Sequence, residues 1–239
     1  MHKFERIAQD IQAKIQDRTY PAGQVLPSEH QLADHYQVSR ETIRRALRIL
    51  TDQGAIHKQQ GYGSVVLDWG HTNNLPVSGL VSYKEVQAHQ GVQTQTQVLV
   101  NEVVDAPSFI LDQVPSVSPG DKFIHLVRSR SQEGQVVIVD EDYIRQTIVE
   151  SIPNDRAEDS IYDYFEGDLG LDIAYALKEF KAQTADSYSQ AAMKLTATDY
   201  VMDVISYVYL TDNRFFQYTT SHHALDHFSF KEFARRRKY

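Results

Sequence analysis

The stretch from Leu26 to Leu50, LPSEHQLADHYQVSRETIRRALRIL, restricts the fold of this chain more than any other. Ser28, with Gln31 three residues on, has the form of a capping box, and Leu32, Ala33 and Tyr36 then share one side of a short helix. Ser39 is a second N-cap. From it Ile43, Ala46, Leu47 and Leu50 recur at i, i+3, i+4 and i+7, so a second helix buries one side. Rotation of about 100° per residue sets Arg40, Arg44 and Arg48 in a row on the other side, where guanidinium forks reach phosphates and guanine edges. Two short helices with a tight turn, the second opening on Arg, predict a helix-turn-helix. The same charges would also suit an ordinary solvated helix face.

The next segment favours the first reading. Gly54 stops the second helix, and Ala55 to Lys58 and Ser64 to Leu67 are short strand-like runs flanking Gln59-Gln60-Gly61-Tyr62-Gly63. A hairpin with Gly at its tip lets backbone approach a minor groove or phosphates, and Lys58, Gln59, Gln60 and Tyr62 supply polar contacts. YPAGQVLPSEHQLADHYQVSRETIRRALRILTDQGAIHKQQGYGSVV resembles the winged helix-turn-helix of GntR-type bacterial transcription regulators. The resemblance implies that Arg40 and Arg44 carry much of the operator contact, with Ser28, His30, Ser39 and Thr42 at phosphate or base-edge positions and Gly61 and Gly63 in the wing. Val65 departs from the family, which often has an aromatic there.

Charge divides along the chain. Residues 1–67 hold nine Lys+Arg against seven Asp+Glu, a balance of +2, which leaves fifteen against twenty-five and −10 for the rest of a chain of net charge −8. The acidic excess therefore lies away from the candidate reading head. A head of only +2 predicts weak binding by one copy and hence a homodimer on a palindrome. With no cysteine there are no disulfides and no thiolate zinc sites, and no apolar run approaches the ~20 residues of a membrane span. Met1-His2-Lys3-Phe4 leads into a polar amphipathic helix without a signal-peptide core, so the cytosol is the expected compartment.

Phe4, Ile7, Ala8, Ile11 and Ile15 mark that first helix, which ends before Pro21-Ala22-Gly23. Residues 1–67 are read as the winged domain, 68–76 as a short linker and 77–239 as an effector-binding and dimerisation domain. In the last, Ser82 is a plausible N-cap for a helix carrying Tyr83 and Lys84, an arrangement that suits an anion and equally an ordinary surface helix. Val98 to Val104, Lys122 to Ser131, Val136 to Glu141, Ile173 to Gln183, Val201 to Thr211 and Phe215 to His222 read as strands. Short helices are expected over 108–114, 159–166 and 186–195. The fold class is therefore α+β, a winged helix-turn-helix followed by an antiparallel sheet with peripheral helices. Arg128 and Arg130, two apart, share a strand face, and such a pair is also what the solvent side of a sheet shows. His222 and His223 point to opposite faces and lack a carboxylate or thiol pattern, so no metal is expected there.

Arg128-x-Arg130, a Gly turn, a strand ending in Glu141, then SIYDYF and a final FKEFARR resemble the UTRA effector module of the HutC branch of the same family, a chorismate lyase-like fold. Phosphosugar-binding members clamp phosphate with the paired Arg and with a Ser-x-Tyr helix start, which implies Arg128, Arg130, Ser160 and Tyr162 here. Two guanidiniums can each bind a dianion bidentately, and a capped helix start adds directed donors. The same resemblance gives Glu141 to sugar hydroxyls and Ser82-Tyr83-Lys84 to closing the site. LPVSGLVSYKEV looks closest to the trehalose operon repressors, whose effector is trehalose 6-phosphate. The expected function is thus a DNA-binding repressor released by a phosphorylated sugar, with no cofactor. The alternatives are a regulator answering another sugar phosphate or a non-phosphorylated effector, and, remotely, a chorismate lyase-like enzyme. Against an enzyme stand the missing cysteine nucleophile, Gly-x-Ser-x-Gly elbow and phosphate-binding Gly-Lys loop.

Overall fold

The computed structural model describes residues 2–59, 61–68, 84 and 94–229, which fall into two compact units, one of residues 2–68 and one of residues 94–229 with Lys84. The first unit holds helices α1 (Lys3–Gln16), α2 (Glu29–Tyr36) and α3 (Arg40–Asp52) and strands β1 (Ile56–Gln59) and β2 (Gly63–Val66). Its core gathers the residues picked out by helical spacing: Ile7, Ile11 and Ile15 from α1, Leu32 and Ala33 from α2, Ile43, Ala46, Leu47 and Leu50 from α3. Burying each Ile or Leu contributes about 1.5–3 kcal/mol, so the periodicity itself holds the three helices together.

Local chemistry sets the ends of these helices. Ser28 Oγ accepts from the Gln31 N–H at 3.3 Å while Gln31 Oε1 accepts from the Ser28 N–H at 2.9 Å, closing the expected capping box. Gln37 turns the chain in a left-handed conformation (φ 51°), and Ser39 Oγ accepts from the Thr42 N–H at 3.2 Å to start α3. At the wing, β1 and β2 pair antiparallel, and Gly63 has φ 126° with Val25 Cγ1 only 2.8 Å from where a Cβ would sit. No other residue type fits there without moving Val25.

The second unit is a six-stranded sheet, antiparallel throughout, of β3 (Thr94–Asp105), β4 (Lys122–Gln132), β5 (Gln135–Arg145), β6 (Ile173–Thr184), β7 (Tyr200–Leu210) and β8 (Phe215–Ala224) in the order β3-β4-β5-β8-β7-β6. Two three-stranded meanders thus meet along one seam, β5 against β8. Helices α4 (Ser108–Gln113), α5 (Asn154–Asp159), α6 (Ile161–Asp163) and α7 (Ser187–Met193) lie in the connections, and a π turn (Tyr164–Asp168) follows α6. One face packs Ile124, Leu126, Ile144, Val208 and Phe216 on Ala157, Ile161 and Phe165. The other packs Phe123, Ile205, Phe215 and Tyr218 on Ile110 and Val114 of the α4 region. With both faces covered, β4 is buried from Phe123 to Arg130. The architecture is therefore α+β, as the sequence patterns predict. No described helix is long and apolar enough to cross a membrane.

A bulge in the β4–β5 hairpin decides which side chains share a face. Glu133 and Gly134, both at positive φ, make the two-residue turn, and Gln132 pairs with Gln135 and Ser131 with Val136. Arg130 then pairs with Ile138, so Val137 is an extra residue on β5. Beyond it Arg128 faces Asp140 and Val127 faces Glu141.

Candidate functional sites

On α3 the row of cations stands in solvent, with the Arg44 side chain 53% exposed and Arg48 exposed two turns beyond Arg40. Glu29, the first residue of α2, gathers the nearest ones: its carboxylate accepts from Arg44 Nε at 2.9 Å and Lys58 Nζ at 3.0 Å and lies 3.8 Å from Arg40 Nη2. The Lys58 hydrogen bond, and after it Arg44, hold Glu29 below its ordinary pKa. One carboxylate therefore ties α2, α3 and the wing strand together. Sequence reading passed over Glu29; the acidic residue in the first turn of α2 was the available signal. Ser28 and Ser39 are occupied as N-caps, with Thr42 Oγ1 2.9 Å from Ser39 Oγ, and His30 lies exposed 3.6 Å from Asp34. Tyr62 and Gly61 stand exposed at the hairpin tip beside Gly63, while Gln60 lies outside the described residues.

In the sheet unit Arg128 and Arg130 are only 2% and 7% exposed, which removes the solvent-face reading. Arg128 Nη2 donates to Asp142 Oδ2 at 2.7 Å and lies 3.7 Å from Asp140, and Arg130 Nε donates to Asp140 Oδ2 at 2.6 Å and its Nη1 to Thr96 Oγ1 at 3.2 Å. Asp142 Oδ1 also accepts from Gln217 Nε2 at 2.8 Å and from Thr219 across the seam, and Asp140 Oδ1 from Ser221. Burial alone would push Asp140 up, but Arg130 and Arg128 hold it well below the ordinary carboxylate range. Two cations are thus matched by two anions, and the buried Nε of Arg128 has no hydrogen-bond partner among the described residues.

Residues expected to join the arginines divide between the two faces. Ser160 Oγ accepts from the Asp163 N–H at 3.2 Å and starts α6, and the electrostatic field of Arg128, Asp142 and Asp140 reaches Tyr162, whose hydroxyl burial pushes far up. Lys84 Nζ donates to Asp159 Oδ2 at 2.8 Å and lies 3.2 Å from Asp163, on either side of Ser160. Ser82 and Tyr83 lie outside the described residues. Glu141 is not brought to this group: its neighbours in register are Val127 and Thr220, on the opposite face, where it accepts from His125 Nε2 and Tyr143 Oη, both at 2.8 Å. The carboxylates that share a face with the arginines are Asp140 and Asp142. His222 and His223 do point to opposite faces; His223 falls with Ile138 and the arginines, His222 with the Glu141 side, where Asp203 Oδ1 is 2.7 Å from Nδ1. Burial drives His223 down to about 4 even though Asp140 pulls it upward.

Residues 3–66 match the family described as bacterial regulatory proteins, gntR family, and residues 89–229 match the UTRA domain. The chain is 40% identical over 238 residues to the HTH-type transcriptional regulator TreR of Bacillus subtilis (strain 168), covering 100% of this chain and 99% of that protein. The solved effector binding domain of the B. subtilis trehalose repressor (TreR) superposes with TM-score 0.53 and 37% identity over 60% of this chain and 99% of that one. The possible transcriptional regulator YydK of Bacillus subtilis shares the fold over 98% of this chain and 100% of its own, at TM-score 0.81 and 22% identity.

Proposed function

Because this chain belongs to the gntR family of bacterial regulatory proteins and carries a UTRA domain, we propose that it is a repressor released from its operator by trehalose 6-phosphate. It is a DNA-binding transcriptional regulator and not an enzyme, in keeping with its TreR-like relative. The finer reading takes its operator contacts from Arg40, Arg44 and Arg48 on α3 and from Lys58, Gly61, Tyr62 and Gly63 in the wing. Ser28, His30, Ser39 and Thr42 take phosphate or base-edge positions. Two copies act as a homodimer on a palindrome, since one head of net +2 offers few phosphate contacts.

The observation that carries the effector reading is the buried Arg128-x-Arg130 pair beside the Ser160 helix start, with the Nε–H of Arg128 lacking a partner among the described residues. A phosphate dianion gives that N–H an acceptor and competes with Asp142 and Asp140 for the rest, while Lys84, Ser160 and Tyr162 add donors. Asp140 and Asp142, once released, become acceptors for sugar hydroxyls, the role that sequence reading gave to Glu141. The one-to-one match of Arg with Asp favours a second reading as well, a non-phosphorylated effector, because the face carries no net positive charge.

Calorimetry of the full chain with trehalose 6-phosphate and with trehalose separates the two. Arg130→Ala should weaken the phosphorylated sugar by about 2–5 kcal/mol and trehalose far less. Equal affinities for both sugars in the unsubstituted protein would select the second reading. Operator DNA, selected from a random pool, should in turn weaken trehalose 6-phosphate by the same factor by which the sugar weakens DNA.

A further inference from the structure

On the sheet face opposite Arg128 and Arg130, three segments far apart in sequence bring donors together. Glu141 comes from β5, Asp186 from the start of α7 and His222 from β8, and one ligand atom of each lies within 4.8 Å of the others. In every case the second polar atom is already committed. His222 Nδ1 is 2.7 Å from Asp203 Oδ1; Glu141 Oε1 accepts from His125 and Tyr143; Asp186 Oδ1 accepts from the Ser189 N–H at 2.8 Å and caps α7. What remains is His222 Nε2, Glu141 Oε2 at 3.9 Å from it, and Asp186 Oδ2. The His222 side chain is only 8% exposed. Its Nε2 has no close hydrogen-bond partner among the described residues but faces Glu141 Oε2, and although burial pulls the other way, Asp203 and Glu141 raise the imidazole to about 10, so a bound ion takes the place of a proton.

We propose that Glu141, Asp186 and His222 bind a divalent transition-metal ion. Two carboxylates offset a 2+ charge, and one imidazole among oxygens suits Zn2+ or a similar ion over Mg2+ and Ca2+, which take oxygen ligands. The outer contacts fit as well. A carboxylate on the far nitrogen of a ligating His fixes its tautomer and ring plane, as Asp203 does here, and the bonds to Glu141 from His125 and Tyr143 fix its carboxylate. Zinc–ligand lengths of about 2.0–2.2 Å set tetrahedral donors about 3.4 Å apart, so binding has to draw the three donors inward from separations of up to 4.8 Å. Such an ion would clamp the β5–β8 seam to the α7 connection. The site is separate from the proposed sugar phosphate site and does not depend on it.

The test uses the full chain, stripped with EDTA, dialysed and titrated with Zn2+ by calorimetry, with Co2+ absorption as a spectroscopic signature. The expected result is about one Zn2+ per chain, a rise in unfolding temperature that grows with Zn2+ concentration, and visible Co2+ bands. Asp186→Asn keeps the α7 cap, since Asn caps as Asp does, yet should weaken Zn2+ at least about tenfold, as should His222→Gln. Asp203→Asn, which touches no metal, should cost about ten- to a hundredfold. If Zn2+ does not bind stoichiometrically, or binds Asp186→Asn and His222→Gln as tightly as the unsubstituted chain, exposed histidines such as His30 hold it and the proposal fails.

Discussion

Arg44 of the winged unit and Arg128 of the sheet unit each hold a carboxylate at hydrogen-bond distance, 2.9 Å and 2.7 Å, yet one is 53% exposed at its side chain and the other 3%. Near water the Arg44–Glu29 attraction is screened and can be exchanged for a phosphate at little cost. In the sheet interior the same attraction has to offset desolvation of both ions, and a partner lost there leaves a charge stranded. The difference matches what each unit handles. If the two sites act as proposed, a surface that samples many DNA sites keeps its cations in exchangeable pairs, whereas a site that answers one molecule keeps its cations saturated until that molecule supplies a complete replacement.

Arg128→Ala is the sharpest way to break this comparison. It should cost the sheet unit about 3–5 kcal/mol in chemical denaturation, because Asp142 is left buried without its cation. Arg128→Met combined with Asp142→Leu should recover most of that loss; a single substitution as mild as one at Arg44 would place the pair in a wetter setting than its burial indicates.

Acid sensitivity comes next. The folded pKa of His223 lies at about 4, below its ordinary value of 6.5. The unfolded chain therefore takes up the proton first as pH falls, and stability present above pH 6.5 is lost progressively down to about pH 4, by on the order of 3 kcal/mol. Asp140, Arg130, His222 and Asp203 surround this imidazole electrostatically, and Asp140 titrates only well below that window. In protein kept in chelator, thermal unfolding from pH 7 to pH 4 should show this loss, and His223→Gln should flatten it.

The smallest effect on the fold is expected at the exposed pair. Arg44→Ala should lower the unfolding midpoint only slightly, as losing an exposed ion pair does, while weakening operator DNA roughly ten- to a hundredfold and reducing the salt dependence of binding. A stability loss comparable to that of Arg128→Ala would mean that Arg44 is a structural cation and not a reading one.

The winged unit was legible because its determinants are local. Ser28 with Gln31, Ser39 with Thr42, and the Ile43–Leu50 spacing all act within one or two helical turns. In the sheet unit the strands, the turn at Glu133-Gly134 and the Ser160 cap were legible for the same reason. The composition of the site was less so, and the bulge at Val137 explains why. A two-residue hairpin running on without a bulge would pair Leu126 with Glu141 and set Glu141 on the arginine face; one extra residue reverses the parity and puts Asp140 and Asp142 there. Nothing in QVVIVDED marks that extra residue. Glu141, Asp186 and His222 were equally hidden, since no spacing within one segment records a meeting of three.

The seam where the two meanders meet has a consequence for how the chain comes to be functional. β4 with β5 and β7 with β8 close through short turns and can form early, whereas β5 finds β8 only by closing a loop in which partners such as Asp140 and Ser221 stand 81 residues apart. Asp142 reaches Gln217 and Thr219, Asp140 reaches Ser221, and Glu141 approaches His222, every one of them across that junction. The first meander alone can set Arg128 and Arg130 against Asp142 and Asp140, but the remaining partners of those carboxylates, and the approach of Glu141 to His222, come only with β8. On the proposed function, the carboxylates beside Arg128 and Arg130 gain their full set of partners only when this distant pairing closes, so a nascent chain whose halves have not yet joined holds an incomplete effector site.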